Sequence, residues 1–169
     1  VSTAETDASV FRAEEQDAFV AELDASAAAV RAAPSEEYSP LTAHDLDVLG
    51  RGVNVALLDS GVDDDHPALA GKFVAGFDAF SDGLGPPGSQ SNPDDDFEFG
   101  GIFHGTHVAG IVCGDDAHFR GVAPAAKLVD VKVLNHLGQG TSTSLLLGIQ
   151  WCIDHKDFAW PGQPEAHHG

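Results

Sequence analysis

His104-Gly105-Thr106-His107-Val108-Ala109-Gly110 decides the fold when read with Asp59-Ser60-Gly61-Val62, whose aspartate stands 45 residues before His104. Val53-Asn54-Val55-Ala56-Leu57-Leu58 is a short apolar run rich in β-branched residues, which predicts a buried strand of a parallel sheet. The strand ends at Asp59, and in open α/β sheets functional groups collect at the carboxyl ends of strands. Ser60 and Gly61 allow a sharp exit. His104 opens a helix whose Gly105, Ala109 and Gly110 let it pack tightly against a sheet. An acid leaving a strand and a histidine opening a helix suit a general base and the carboxylate that orients it.

Working outward, residues 72–77 predict a second strand and 127–134 a third, with a turn at Gly121-Val122-Ala123-Pro124 between the helix and that third strand. Asn135 to Gly140 is a glycine-containing loop. Thr141-Ser142-Thr143-Ser144 caps a following helix, with Leu145, Leu146, Ile149, Trp151 and Ile153 as its expected apolar face. Strands alternating with helices predict an α/β architecture, a parallel sheet with helices on both faces. Residues 81–101, rich in Gly, Pro and Asp, read as a long loop. At the other end, residues 1–33 carry amphipathic helical spacing and residues 34–40 a Pro-bounded linker. The expected division is an acidic helical segment with its linker over 1–45 and the main domain over 46–169. A pro-segment remnant and a plain helical extension both fit the first part.

The Asp and His motifs, in this order, resemble the subtilisin-like serine proteases (subtilases, peptidase S8), in which the triad runs Asp, His, Ser along the chain. The resemblance extends from about Gly50 onward and implies a three-layer fold with a parallel sheet flanked by helices. It implies Asp59 and His104 as catalytic residues, and His107 as a structural neighbour behind the site. It also implies a substrate edge at Leu134 to Gly140, where a peptide pairs as an added strand. There Gly138, Gln139 and Gly140 would supply backbone bonds, and Leu134 with Leu145 would line an apolar pocket. The family's Gly-Thr-Ser-x-Ala nucleophile motif does not occur in these residues. Gly140-Thr141-Ser142 starts like it, but Thr143-Ser144-Leu145 follows, so Ser142 reads as part of a helix cap. None of Asn54, Asn92 and Asn135 has the context of the family's oxyanion asparagine. The expectation is the front part of a protease catalytic domain, halted before its nucleophile.

Composition narrows the partners. The 169 residues hold 27 Asp and Glu against 8 Lys and Arg, a formal charge of −19, which repels nucleic acid and anionic membrane. The carboxylates are scattered through core-forming sequence, unlike a disordered acidic tail. That pattern fits adaptation to high salt, where screening shortens repulsion to about 3 Å at molar strength. No apolar run reaches membrane-spanning length. Cys113 and Cys152, each in a predicted helix, read as buried free thiols.

Metal chemistry has little support. His104 and His107 form H-x-x-H, but helical zinc hydrolases use H-E-x-x-H or H-x-x-E-H. Asp63-Asp64-Asp65-His66 reads as a solvated acidic loop. Ala68 stands where subtilases often carry a calcium-ligating Asp. Asp94, Asp95 and Asp96 are weak calcium candidates, against an acidic surface insertion, and no cofactor is required for the chemistry. The leading function is a serine endopeptidase acting on polypeptides, exported in its complete form. The alternative is an inactive truncated or pseudo-protease domain that binds peptide or a partner.

Overall fold

A computed structural model describes residues 30, 32, 41–80, 93–99, 102–116 and 120–158. The expected helices of residues 1–33 and the linker fall almost wholly outside the described residues. Strands β1 (Asn54–Asp59), β2 (Phe73–Asp78) and β5 (Lys127–Lys132) form a parallel sheet in the order β1-β5-β2. The register runs from Asn54 beside Lys127 to Asp59 beside Lys132, and Asp78 flanks Lys132 on the other side. The carboxyl ends of all three strands therefore meet at one edge, around Lys132. Each strand keeps its predicted place with boundaries moved by one or two residues.

The central strand β5 is covered on both faces, and its side chains alternate between them. Leu128 packs with Val62, Leu69, Ala109, Cys113 and Ala126 beneath helix α1 (His104–Cys113). Val129, Val131 and Val133 pack on the opposite face with Phe77 and Trp151, the latter from helix α2 (Ser142–His155). Phe77 and Trp151 stack with ring centroids 5.5 Å apart. A parallel sheet between helices is the predicted architecture.

Three local expectations change. Part of the segment read as a structureless loop forms a small antiparallel pair, β3 (Glu98–Phe99) with β4 (Ile102–Phe103), leading directly into α1. The buried face of α2 is Ser144, Gly148 and Trp151, whereas Leu145, Leu146, Ile149 and Ile153 are exposed. The reason is close approach: a Cβ at Gly148 would lie 2.6 Å from Val133 Cγ1, so the contact requires a missing side chain. In α1, Gly105 and Ala109 face the sheet, but a Cβ at Gly110 would meet nothing within 4 Å. Both cysteines are free, with Cys113 buried and its thiol pushed up to about 11 by burial.

Candidate active site

β1 delivers Asp59 to the edge of the sheet, and α1 begins at His104 directly above it. The Asp59 backbone carbonyl accepts bonds from Val133 and Leu134 N–H at 2.8 and 3.1 Å, so the strand end is clamped by β5. His104 Nδ1 lies 2.7 Å from Asp59 Oδ1. The Asp59 side chain is only 12% exposed, whereas that of His104 is 48% exposed. A buried carboxylate thus faces a ring open on its other side. Donation from Nδ1–H to the carboxylate fixes the tautomer with Nε2 as the basic nitrogen.

Gly61 makes this approach geometrically feasible. Its φ of +106° suits glycine, and a Cβ there would lie 2.2 Å from the Pro93 carbonyl oxygen. Residues 93–97 are thereby seated against the exit of β1. The Phe97 carbonyl accepts the His104 N–H at 3.3 Å, and the Phe97 ring lies 6.2 Å from the imidazole, centroid to centroid. Phe97 also meets the expected substrate loop: a Cβ at Gly138 (φ +69°) would come within 2.5 Å of its ring.

That loop is more self-contained than expected. Asn135 accepts Gly138 N–H on its carbonyl and Gln139 N–H on its side chain, and donates its own N–H to Gln139 O. The Gly138 N–H and both Gln139 backbone groups are therefore engaged inside the loop. Leu134 is partly buried against the α2-side core. Leu145 is 46% exposed on α2. Thr141, not Ser142, caps that helix, through a reciprocal bond pair with Ser144.

The three carboxylates of 94–96 go to different partners. Asp95 turns inward to Ser60 and Thr106, and Asp96 pairs with the fully buried Lys132, which also donates to the Ser60 carbonyl at 2.5 Å. Among the described residues no group of three or more His, Cys, Asp or Glu is placed to hold a metal ion. The three candidates therefore do not form a calcium site together. Asp94 instead joins Asp63, Asp65, Asp95 and Phe103 in lining a cleft of about 260 Å³. Burial and then the charges of Asp64, Asp63, Asp65 and Asp96 raise its carboxyl above the usual range. His107 is held below the ordinary imidazole range, first by burial and then by His104. That disfavours a charged ring but is no sign of a metal.

Sequence reasoning overlooked the buried polar frame. Asp130 is fully buried, accepts Val62 N–H at 2.8 Å and is raised well above the carboxylate range, chiefly by burial. Asp130 and Lys132 stand two residues apart, on one face of the strand predicted over 127–134. That spacing was the available signal for an internal polar pair.

Comparison with known proteins bears on the family and the fold. The profile of the Subtilase family (Peptidase_S8) matches residues 50–160. Serine protease AprX of Bacillus subtilis (strain 168) is 38% identical over 112 residues, covering 64% of this chain and 22% of that protein. Thermitase of Thermoactinomyces vulgaris is 39% identical over 108 residues, covering 62% and 34%. The solved structure of sphericase superposes with a TM-score of 0.54 at 33% identity, over 63% of this chain and 33% of that one. The chain spans about a fifth to a third of the length of these relatives. With well over half of its residues matched, the chain belongs to the subtilase family.

Proposed function

We propose that this chain carries the base and orienting acid of a serine endopeptidase. The observation that supports the reading best is the 2.7 Å contact between His104 Nδ1 and Asp59 Oδ1 at the strand-end, helix-start junction. In an active protease of this kind, His104 Nε2 takes the proton of the nucleophilic serine, then gives it to the leaving amine. Asp59 keeps the imidazole in the right tautomer and stabilises the transient imidazolium. A polypeptide substrate would lie along Leu134 to Gly140, pairing through Gly140 and the Gly138 carbonyl, with Leu134 and Leu145 near its side chains. Export of the complete protein is part of the proposal. The family alone does not set the compartment, since one relative is named an intracellular serine protease.

The test is substitution in the complete protease. His104→Ala should lower kcat by up to about a million-fold and Asp59→Asn by about ten thousand-fold, the scale of loss when a Ser-His-Asp triad loses its base or its orienting acid. A purified His104→Ala protein keeping a tenth of wild-type peptide hydrolysis would sink the assignment and leave peptide binding without catalysis as the better reading.

A further inference from the structure

Helix α1 starts without a cap of its own, because its N-cap residue Phe103 offers no side-chain bond. The first N–H groups of a helix need acceptors from elsewhere. Here they come from three separate places. His104 N–H reaches Phe97 O at 3.3 Å, Gly105 N–H reaches Ser60 Oγ at 3.0 Å, and Thr106 N–H reaches Asp95 Oδ2 at 2.8 Å. Thr106 Oγ1 lies 2.9 Å from the same Asp95 oxygen and accepts Asp63 N–H at 2.9 Å, so its hydroxyl proton goes to Asp95. Asp95 is only 7% exposed, and its other oxygen lies 2.8 Å from Ser60 Oγ and accepts Phe97 N–H at 3.3 Å.

Ser60 is the pivot. Its oxygen has Asp95 Oδ1 at 2.8 Å, Asp59 Oδ1 at 3.1 Å and the donating Gly105 N–H at 3.0 Å. A hydroxyl carries one proton, so only one carboxylate can receive it. Asp59 Oδ1 is already occupied, by Ser60 N–H at 2.7 Å and His104 Nδ1 at 2.7 Å, which use both of its lone-pair directions. The shorter distance and the occupied oxygen give the same answer: the Ser60 proton belongs to Asp95.

We infer that Asp95 is a positioning residue of the catalytic pair: it caps α1 from outside the helix and draws the Ser60 hydroxyl proton away from Asp59, leaving Asp59 Oδ1 to His104. Its role in catalysis rests on the endopeptidase reading; its role in the hydrogen-bond arrangement does not. Without the Asp95 carboxylate the Ser60 hydroxyl turns to Asp59. It then competes with His104 Nδ1–H for one oxygen, and the imidazole loses its fixed orientation.

The decisive measurement is the proton resonance of His104 Nδ1–H in this chain, which needs no nucleophile. Asp95→Asn should move it upfield as the bond to Asp59 weakens. Ser60→Ala alone should leave it near the wild-type position, because that hydroxyl does not donate to Asp59. In the double variant the resonance should return close to wild type, since no hydroxyl remains to turn. In the complete protease, Asp95→Asn should lower kcat on the order of 100-fold with KM little changed, as expected for a misplaced base. An unmoved resonance in folded Asp95→Asn overturns the inference, as do additive effects in the double variant. Should Asp95→Asn not fold, a Ser60→Ala resonance far from wild type overturns it equally. A wild-type complete protease without activity would remove the endopeptidase reading while leaving the resonance test intact.

Discussion

Gly105 packs so closely on Gly61 that a Cβ added to it would lie 2.1 Å from the Gly61 carbonyl oxygen and 3.2 Å from Asp59 Oδ1. No side-chain rotation relieves a clash between a Cβ and a backbone oxygen. The contact is where α1 meets the exit of β1, and it sets the height of His104 above Asp59.

The first prediction follows from that contact. Gly105→Ala must lift the first turn of α1, stretching the 2.7 Å bond between His104 and Asp59. In the complete protease kcat/KM should fall about 100-fold or more, the scale of a 1 Å misplacement. Gly110→Ala, where a Cβ would meet nothing within 4 Å, should leave activity within about twofold and raise helix stability slightly. Equal behaviour of the two variants would show that the approach of α1 to β1 does not matter.

Asp130 gives a prediction with a definite sign. Its carboxyl is raised in the fold above the ordinary value of 3.8, with burial as the main cause, so the folded chain holds a proton that the unfolded chain releases. Stability then falls as pH rises from the unfolded value through the folded one. Oδ1 of Asp130 has no hydrogen-bond partner among the described residues, while Oδ2 accepts Val62 N–H. Asp130→Asn keeps that acceptor and removes the proton release. The variant's melting temperature relative to wild type should therefore rise as pH is raised above the ordinary carboxylate range. A difference that falls as pH is raised would contradict the assignment. Asp94 shifts in the same direction, but it is common to both proteins and cancels in the comparison.

A third prediction concerns salt. The net charge is −19, and Asp63, Asp65, Asp94 and Asp95 converge on one cleft. Repulsion among them should weaken the compact state at low ionic strength, and molar salt should relieve it. Circular dichroism melts across a salt series should show a rising midpoint. The same midpoint at about 0.1 M and at several molar salt would count against charge repulsion as the limiting factor.

What the sequence made legible, and what it did not, follows from the range of the interactions involved. β1 announces itself as an apolar run, β2 and β5 as strand-like stretches carrying Phe73, Val74 and Phe77, and Leu128, Val129 and Val131, and the sharp exit at Ser60-Gly61 points to Asp59 as a strand-end acid. The Ser60 and Thr106 groups that Asp95 binds lie 35 residues before it and 11 after it, so no local pattern separates a helix cap from a calcium ligand. The buried face of α2 was misread for a different reason. Hydropathy favours Leu145, Leu146, Ile149 and Ile153, but the contact with Val131 and Val133 is made by Gly148, which has no side chain to score. Asp130 and Lys132 alternate as a solvated strand would, yet both are fully buried because a second layer covers that face.

The last prediction concerns the 169-residue chain by itself. On the proposed reading it holds a base and an orienting acid without a Gly-Thr-Ser-x-Ala motif, so it should show no peptide turnover at any salt concentration. Serine-phosphonate-sensitive hydrolysis from this chain alone would mean that one of its own serines, with exposed Ser142 the first to examine, is a nucleophile. The outward face of α2 should also govern its behaviour in solution. Leu146 is 63% exposed, Ile153 54% and Leu145 46%, an apolar stripe along one helix that water wets unfavourably. The chain should therefore self-associate, more strongly in high salt, where the −19 charge no longer keeps copies apart. Leu146→Lys with Ile153→Lys should lower the sedimentation-derived mass toward 17.6 kDa while leaving the circular dichroism spectrum unchanged. Association that persists undiminished in the doubly substituted chain would locate the contact elsewhere, with the β1 edge of the sheet the next surface to substitute.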